Sequence, residues 1–288
     1  MDEHVKVTIG NLLSVTVERV RPISGGDISQ AFLLETKTDR FFCKTNQGAK
    51  IYEMYLAEKK GLEAISRTNT IATPKVLLCE KMETGAFLLM EYIEPKKASR
   101  KDMELLGHQL AALHKVSGVE QFGWDSDNFI GNLPQANKKY SVWADFYVFE
   151  RLLPQMKMAL AKNLLQYSEI PSEEILLKSC SNRFPYDLKP SLLHGDLWGG
   201  NYLISQDGIP YLIDPAVYHG HHEVDIAMTR LFAGFDTAFY DAYSAHFPKI
   251  GGETARNAIY QLYYLLVHLN LFGGSYKEAV TTILKRYF

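Results

Sequence analysis

Cysteine is scarce in this chain. Three of its 288 residues are cysteines, Cys43, Cys79 and Cys180, and no two form a C-x-x-C pair. That count excludes a disulfide-stapled secreted scaffold and fits a reducing compartment with buried, inert thiols. Charge of one sign is equally lacking: 31 basic side chains stand against 33 acidic ones, which removes any global signal for nucleic acid or a membrane surface. Long apolar runs are missing too. The most apolar stretch, residues 258–272, is broken by Gln261, His268 and Asn270 and is too short to span a bilayer. The opening Met1-Asp2-Glu3-His4 is too polar for a signal peptide. A cytoplasmic protein with no nucleic-acid or membrane partner is expected, and its oligomeric state has no sequence signature. Two familiar phosphate loops are also absent, because neither G-x₄-G-K-[ST] nor G-x-G-x-x-G occurs.

What is present is ample apolar material, 47% of the residues, enough for a core that needs no staple. No internal repeat occurs. Up to residue 92 the chain reads as strands around one helix. Residues 15–20 alternate, 30–36 and 41–45 form a hairpin across Lys37-Thr38-Asp39, and 75–79 and 86–92 are further strands. Between them, 50–66 carries Ile51, Met54, Tyr55, Leu62 and Ile65 at helix spacing. From Pro95 the pattern turns helical, at 102–116, 141–162 (kinked or divided by Pro154), 172–180, 224–232, 254–272 and 276–286. Only 191–217 breaks that run, reading as loop, strand, turn, strand. The expected organisation is α+β and bilobal: 1–92, a small antiparallel sheet with one helix that binds nucleotide, and 93–288, a larger, mainly helical lobe that carries catalysis and substrate.

The sharpest motif is His194-Gly195-Asp196-Leu197-Trp198-Gly199-Gly200-Asn201. An Asp five residues before an Asn, in a loop feeding a hairpin, is how phosphoryl-transfer enzymes set a carboxylate against the acceptor hydroxyl and an amide on Mg²⁺. Asp196 is thus the candidate base and Asn201 a candidate metal ligand. Downstream, Asp207-Gly208 signals a tight turn. A two-residue turn there puts Asn201 opposite Asp214, where the two can share one hard cation. Glu58 lies on the apolar stripe of its helix, and a lone carboxylate is costly to bury there. Lys44, in a strand, is its expected partner, and a lysine so held can grip nucleotide phosphates. Ser24-Gly25-Gly26-Asp27-Ile28-Ser29 lies between the first two strands, where adjacent glycines let backbone N–H groups approach phosphates. His219, His221 and His222 are too crowded to converge on one ion and read as a loop. A protein-serine kinase is excluded by spacing: Asp225 already opens a helix, which leaves no room after Asp214 for an activation segment, and no Ala-Pro-Glu follows.

In this order, the Gly-Gly loop, the strand lysine, the helix glutamate, Leu89-Met90-Glu91-Tyr92-Ile93, the His194–Asn201 motif and Ile213-Asp214-Pro215-Ala216 resemble the fructosamine kinase (ketosamine kinase) family. That family shares a kinase-like superfamily with aminoglycoside and choline kinases. The resemblance runs from about Ile23 to Tyr276. It takes in Asn128-Phe129-Ile130-Gly131, Pro134-Gln135-Ala136-Asn137, Gly220-His221-His222-Glu223-Val224-Asp225 and His268-Leu269-Asn270-Leu271-Phe272-Gly273-Gly274. It implies a bilobal protein-kinase-like fold, ATP and Mg²⁺ as cofactors, and phosphorylation of a ketosamine hydroxyl, typically at C3. The substrate it implies is a small-molecule ketosamine or a glycated protein or peptide, and the role is deglycation repair. It further implies nucleotide contacts at Gly25, Gly26, Asp27, Ile28, Ser29, Lys44, Glu58, Glu91, Tyr92 and Ile93, and substrate contacts at Trp198, Glu223 and His268. An aminoglycoside- or choline-type phosphotransferase is the alternative, with the same core and a different substrate wall. A catalytically dead nucleotide-binding module is disfavoured, because every expected catalytic residue type is present.

Overall fold

In the first lobe, most strands pair with a sequence neighbour. The computed structural model describes residues 1–23, 29–116 and 118–288. α1 (Glu3–Leu13) precedes β1 (Arg19–Ile23), β2 (Gln30–Glu35), β3 (Arg40–Gln47), α2 (Ile51–Arg67), β4 (Val76–Lys81) and β5 (Gly85–Glu91). The strands make one antiparallel sheet in the order β1-β2-β3-β5-β4. Alternation along each strand sends side chains to both faces. One face packs Phe32, Leu34, Cys43, Phe87 and Leu89 against Val5 and Ile9 of α1. The other packs Ala86, Leu88 and Met90 against Tyr55 and Leu62 of α2. α1 corrects the expectation of a single helix in this lobe, and the strand expected at 15–20 begins only at Arg19. The helix was hard to read because Val5 and Ile9 are buried while Val7 and Leu12 face solvent. Its start is marked by Asp2, whose side chain accepts the His4 N–H at 2.9 Å.

β6 (Pro95–Lys96) leads into α3 (Arg100–His114), which Ser99 and Asp102 cap reciprocally. A hairpin follows, β7 (Asn128–Ile130) with β8 (Leu133–Gln135), in a region the helical pattern had not marked as strand. The segment expected at 141–162, kinked or divided by Pro154, is divided into α4 (Trp143–Phe146), a π-helical turn (Tyr147–Leu152) and α5 (Leu153–Ala161). Pro154 sits in the first turn of α5 and has no N–H for the carbonyl of Glu150. The guanidinium of Arg151 takes that carbonyl instead, at 3.0 Å. The chain continues through α6 (Glu173–Ser181), β9 (Ser191–Leu193), β10 (Tyr202–Ser205), β11 (Pro210–Leu212), β12 (Tyr218–Gly220), α7 (Glu223–Leu231), α8 (Thr237–Ser244), α9 (Glu253–Phe272) and α10 (Lys277–Tyr287). α8 and β12 extend the sequence reading. α9 runs through the main core with Ile259, Tyr260, Leu262, Tyr263 and Leu266 buried. β9 pairs with β12, and β10 with both β11 and β6. The β6–β10 pairing anchors the start of the second lobe, and a bridge from Ala72 to Tyr211 ties the two lobes together. No helix among the described residues is long and apolar enough to cross a membrane.

Candidate active site

The loop from β9 to β10 carries the His-Gly-Asp motif, and its shape is held from behind. Asp225, buried in the first turn of α7, accepts the backbone N–H groups of His194 at 2.7 Å and Gly195 at 2.9 Å. Its third partner is His114 Nε2 at 3.1 Å. Burial alone would raise the Asp225 carboxyl; His114, His194 and the Gly195 amide hold it below the ordinary value. Gly195 has φ +84°, and a Cβ there would lie 2.1 Å from the Ala216 carbonyl oxygen, so no other residue fits the turn. His194 donates from Nε2 to Ile213 O at 2.9 Å, which leaves Nδ1 to accept the Asp196 N–H at 3.3 Å. Burial keeps that imidazole below its ordinary pKa, as a neutral ring requires. Asn201 donates from Nδ2 to the Asp196 carbonyl at 2.8 Å and its carboxylate at 3.3 Å. The two ends of the motif are thus fixed to each other.

The hairpin that follows corrects the expected register by one residue. Pairs Tyr202↔Leu212 and Ile204↔Pro210 close on a three-residue loop, Gln206-Asp207-Gly208, with Gly208 at φ +82°. Asn201 therefore faces Ile213, whose N–H it accepts at 3.0 Å, and not Asp214. An extended chain would send Asp214 to the opposite face. Its φ of +56° breaks the alternation, so Asn201 and Asp214 line the same cleft after all. Across that cleft, Lys44 of β3 reaches Glu58 of α2 at 2.8 Å and also pairs with Asp214. Burial by itself would lower the Lys44 pKa, but the two carboxylates raise it above the ordinary value. Burial pushes Glu58 up, while Lys44 holds Asp214 down. Asp196 is pushed up to about 7, by burial first and then by Asp214 and Asp225.

One cavity of about 190 Å³ gathers Ser29, Lys44, Glu58, Asp196, Trp198, Asn201, Asp214 and His268 in its lining. Not every expected residue is there. Glu223 is taken by Arg256, which it meets at 2.6 and 2.7 Å, and does not line the cleft. Glu91, Tyr92 and Ile93 do not line it either: the Glu91 carboxylate accepts Lys75 N–H at 2.9 Å, and the Tyr92 ring lies 5.1 Å from the Arg40 guanidinium. Gly25, Gly26, Asp27 and Ile28 lie outside the described residues. Two contributors had been missed. Tyr55 donates to Ser29 Oγ at 2.8 Å, and Asp225 organises the loop as above. Asp225 carried a usable signal, since it is an acid within the buried run Val224–Thr229.

The family model for fructosamine kinase matches residues 1–288. The chain belongs to the fructosamine kinase family. Among relatives in this family, a probable ketoamine kinase of Synechocystis is 38% identical over 275 residues, 94% of this chain and 90% of its own. The chloroplastic protein-ribulosamine 3-kinase of Arabidopsis thaliana is 36% identical over 287 residues, 98% of this chain and 85% of its own. A solved structure from Haemophilus somnus 129PT, described as a fructosamine-3-kinase, superposes with a TM-score of 0.88 at 26% identity, covering 99% of this chain and 96% of that one. The bilobal kinase-like fold expected from the sequence is therefore the fold of the family.

Proposed function

We propose that this member of the fructosamine kinase family is an ATP-dependent phosphotransferase that phosphorylates a ketosamine hydroxyl, at C3 of the sugar. The observation that carries this reading is the convergence of Asp196, Asn201 and Asp214 with the Lys44–Glu58 pair in one cleft. In this reading Asp196 orients the acceptor hydroxyl and takes its proton, while Lys44, set by Glu58, grips the nucleotide phosphates. Trp198, Ser29 and His268 complete the walls. The relatives' names, ketoamine kinase and ribulosamine 3-kinase, support the choice of acceptor. A phosphate at C3 leaves once the adduct enolises, which frees the amine, so the proposed role is deglycation of free and protein-bound amines.

The residues present fit a Mg²⁺ ion. The donors are oxygens only, an amide and a carboxylate, and Asp196 and Glu58 line the same cleft beside them. Asn201 and Asp214 would hold the ion, and it would screen the phosphate oxygens during transfer. We also place the boundary between the nucleotide lobe and the catalytic lobe after residue 92, and the protein in the cytoplasm. The test is ATP consumption by the purified protein against ribulosamines, fructosamines, free sugars and aminoglycosides. Turnover confined to ketosamines is expected; turnover of aminoglycosides alone would sink the reading.

A further inference from the structure

Asn128-Phe129-Ile130-Gly131 and Pro134-Gln135-Ala136-Asn137 resemble the family's sequences, yet they hold none of the reacting groups named above. Asn128 to Gly131 line the cleft from β7 and its turn, and behind the hairpin lies Arg151. This guanidinium is fully buried and meets no carboxylate among the described residues. It donates from Nη1 to Ala136 O at 2.6 Å and Glu150 O at 3.0 Å, and from Nη2 to Asn137 Oδ1 at 2.6 Å. Aromatic faces cover it, with Tyr218 at 3.9 Å and Phe146 at 4.6 Å.

A guanidinium has donors only. Asn137 must therefore turn its oxygen toward Arg151, and its Nδ2 is left to donate to Asn128 Oδ1 at 2.9 Å. Asn128 must in turn donate from Nδ2 to Val217 O at 2.8 Å. Gln135 points the same way: Tyr263 donates to its oxygen at 2.6 Å, and its Nε2 donates to Asn128 Oδ1 at 2.8 Å and Ala216 O at 3.1 Å. Every amide in this chain has one permitted direction. The chain ends on carbonyls just beyond Asp214, and the Ala216 N–H bonds back to His194 O at 2.9 Å.

We infer that Arg151 is a positioning residue for the phosphoryl acceptor. Its donor-only guanidinium sets the direction of Asn137 and, together with the Val217 and Ala216 carbonyls, that of the whole Asn137–Asn128–Gln135 chain, and so fixes the acceptor wall of the cleft to the segment after Asp214. The inference rests on the kinase reading above. Lys44 and Glu58 of α2 pair on the other side of the cleft.

Asn137→Asp separates direction from stability. It gives Arg151 a carboxylate, which offsets the new oxygen set against Asn128 Oδ1 and Ser126 O, so the melting temperature should stay near the wild-type value, but it removes the N–H that feeds Asn128. The acceptor KM should then rise about tenfold while the ATP KM stays within about twofold. Arg151→Met should give the same split with a lower melting temperature, and Arg151→Lys should recover part of the acceptor KM. A stable Asn137→Asp protein with wild-type acceptor KM overturns the inference, as does an equal rise in ATP KM. If Arg151→Met fails to fold, Asn137→Asp decides alone. If the wild type turns over no ketosamine, the kinase reading fails separately. Side-chain amide exchange by NMR then decides, with loss of Asn128 protection expected in Asn137→Asp and retained protection overturning the chain.

Discussion

Asp196 and Glu58 are both half-buried acids in one cleft, and their neighbours differ. Asp196 is pinned by Asn201, whereas Glu58 is committed to Lys44. Asp196→Asn should leave nucleotide affinity within a few-fold and lower kcat by about 10²–10⁴, the span of a positioned base. Near-normal kcat in a folded variant would remove Asp196 from the chemistry. Lys44→Met should destabilise the small lobe, because it leaves the half-buried Glu58 carboxylate without its cation. Adding Glu58→Leu should restore part of that stability in urea titrations and none of the activity. If Glu58→Leu alone keeps full activity, the pairing has no catalytic meaning. Glu58 was legible because a charge on an apolar helix stripe demands a partner. Asp225 obeys the same rule on α7, but its partners are the backbone amides of His194 and Gly195, which no sequence pattern displays.

α7 is the element on which the catalytic loop hangs, and its N-terminal end gathers neutral histidines. His222 stacks on Phe247 at 4.1 Å and bonds Tyr243 at 2.9 Å. Burial first, then the neighbouring His114 and Arg256, hold its pKa down to about 3. The unfolded chain takes up a proton below about pH 6.5, which the native ring refuses until far lower. Stability is therefore fully present above about pH 6.5 and falls as pH drops toward 3, by about 1.4 kcal/mol per pH unit for each such ring. Urea midpoints at pH 7.5, 6 and 5 should fall more steeply for the wild type than for His222→Asn. Equal slopes would show that the ring is not held neutral. Elements were legible where periodicity was strong, as in α2, α3 and α9. The β10–β11 register was misread by one residue because Asp-Gly serves both two-residue turns and the last two places of a three-residue loop. The β7–β8 hairpin is too short to show alternation, and Pro134 within it argues against a strand.

Between the lobes, the cleft is closed by groups far apart in the chain: Lys44 comes from the sheet and Asp214 from the loop after β11. Asp214 brings the charge among the proposed metal ligands, so Asp214→Asn should abolish turnover while Asn201→Asp retains a little. Titrating Mg²⁺ at fixed ATP in each variant reads this directly, and unchanged metal dependence in Asp214→Asn would remove the metal assignment. The same separation sets an order in time. The sheet pairs only segments between Arg19 and Glu91, so it can close as soon as those residues leave the ribosome. At about 5–20 residues per second, Asp214 follows about 6–25 seconds later. Over that interval Glu58 is the carboxylate within reach of Lys44, since both precede Glu91 in the chain and Asp214 does not.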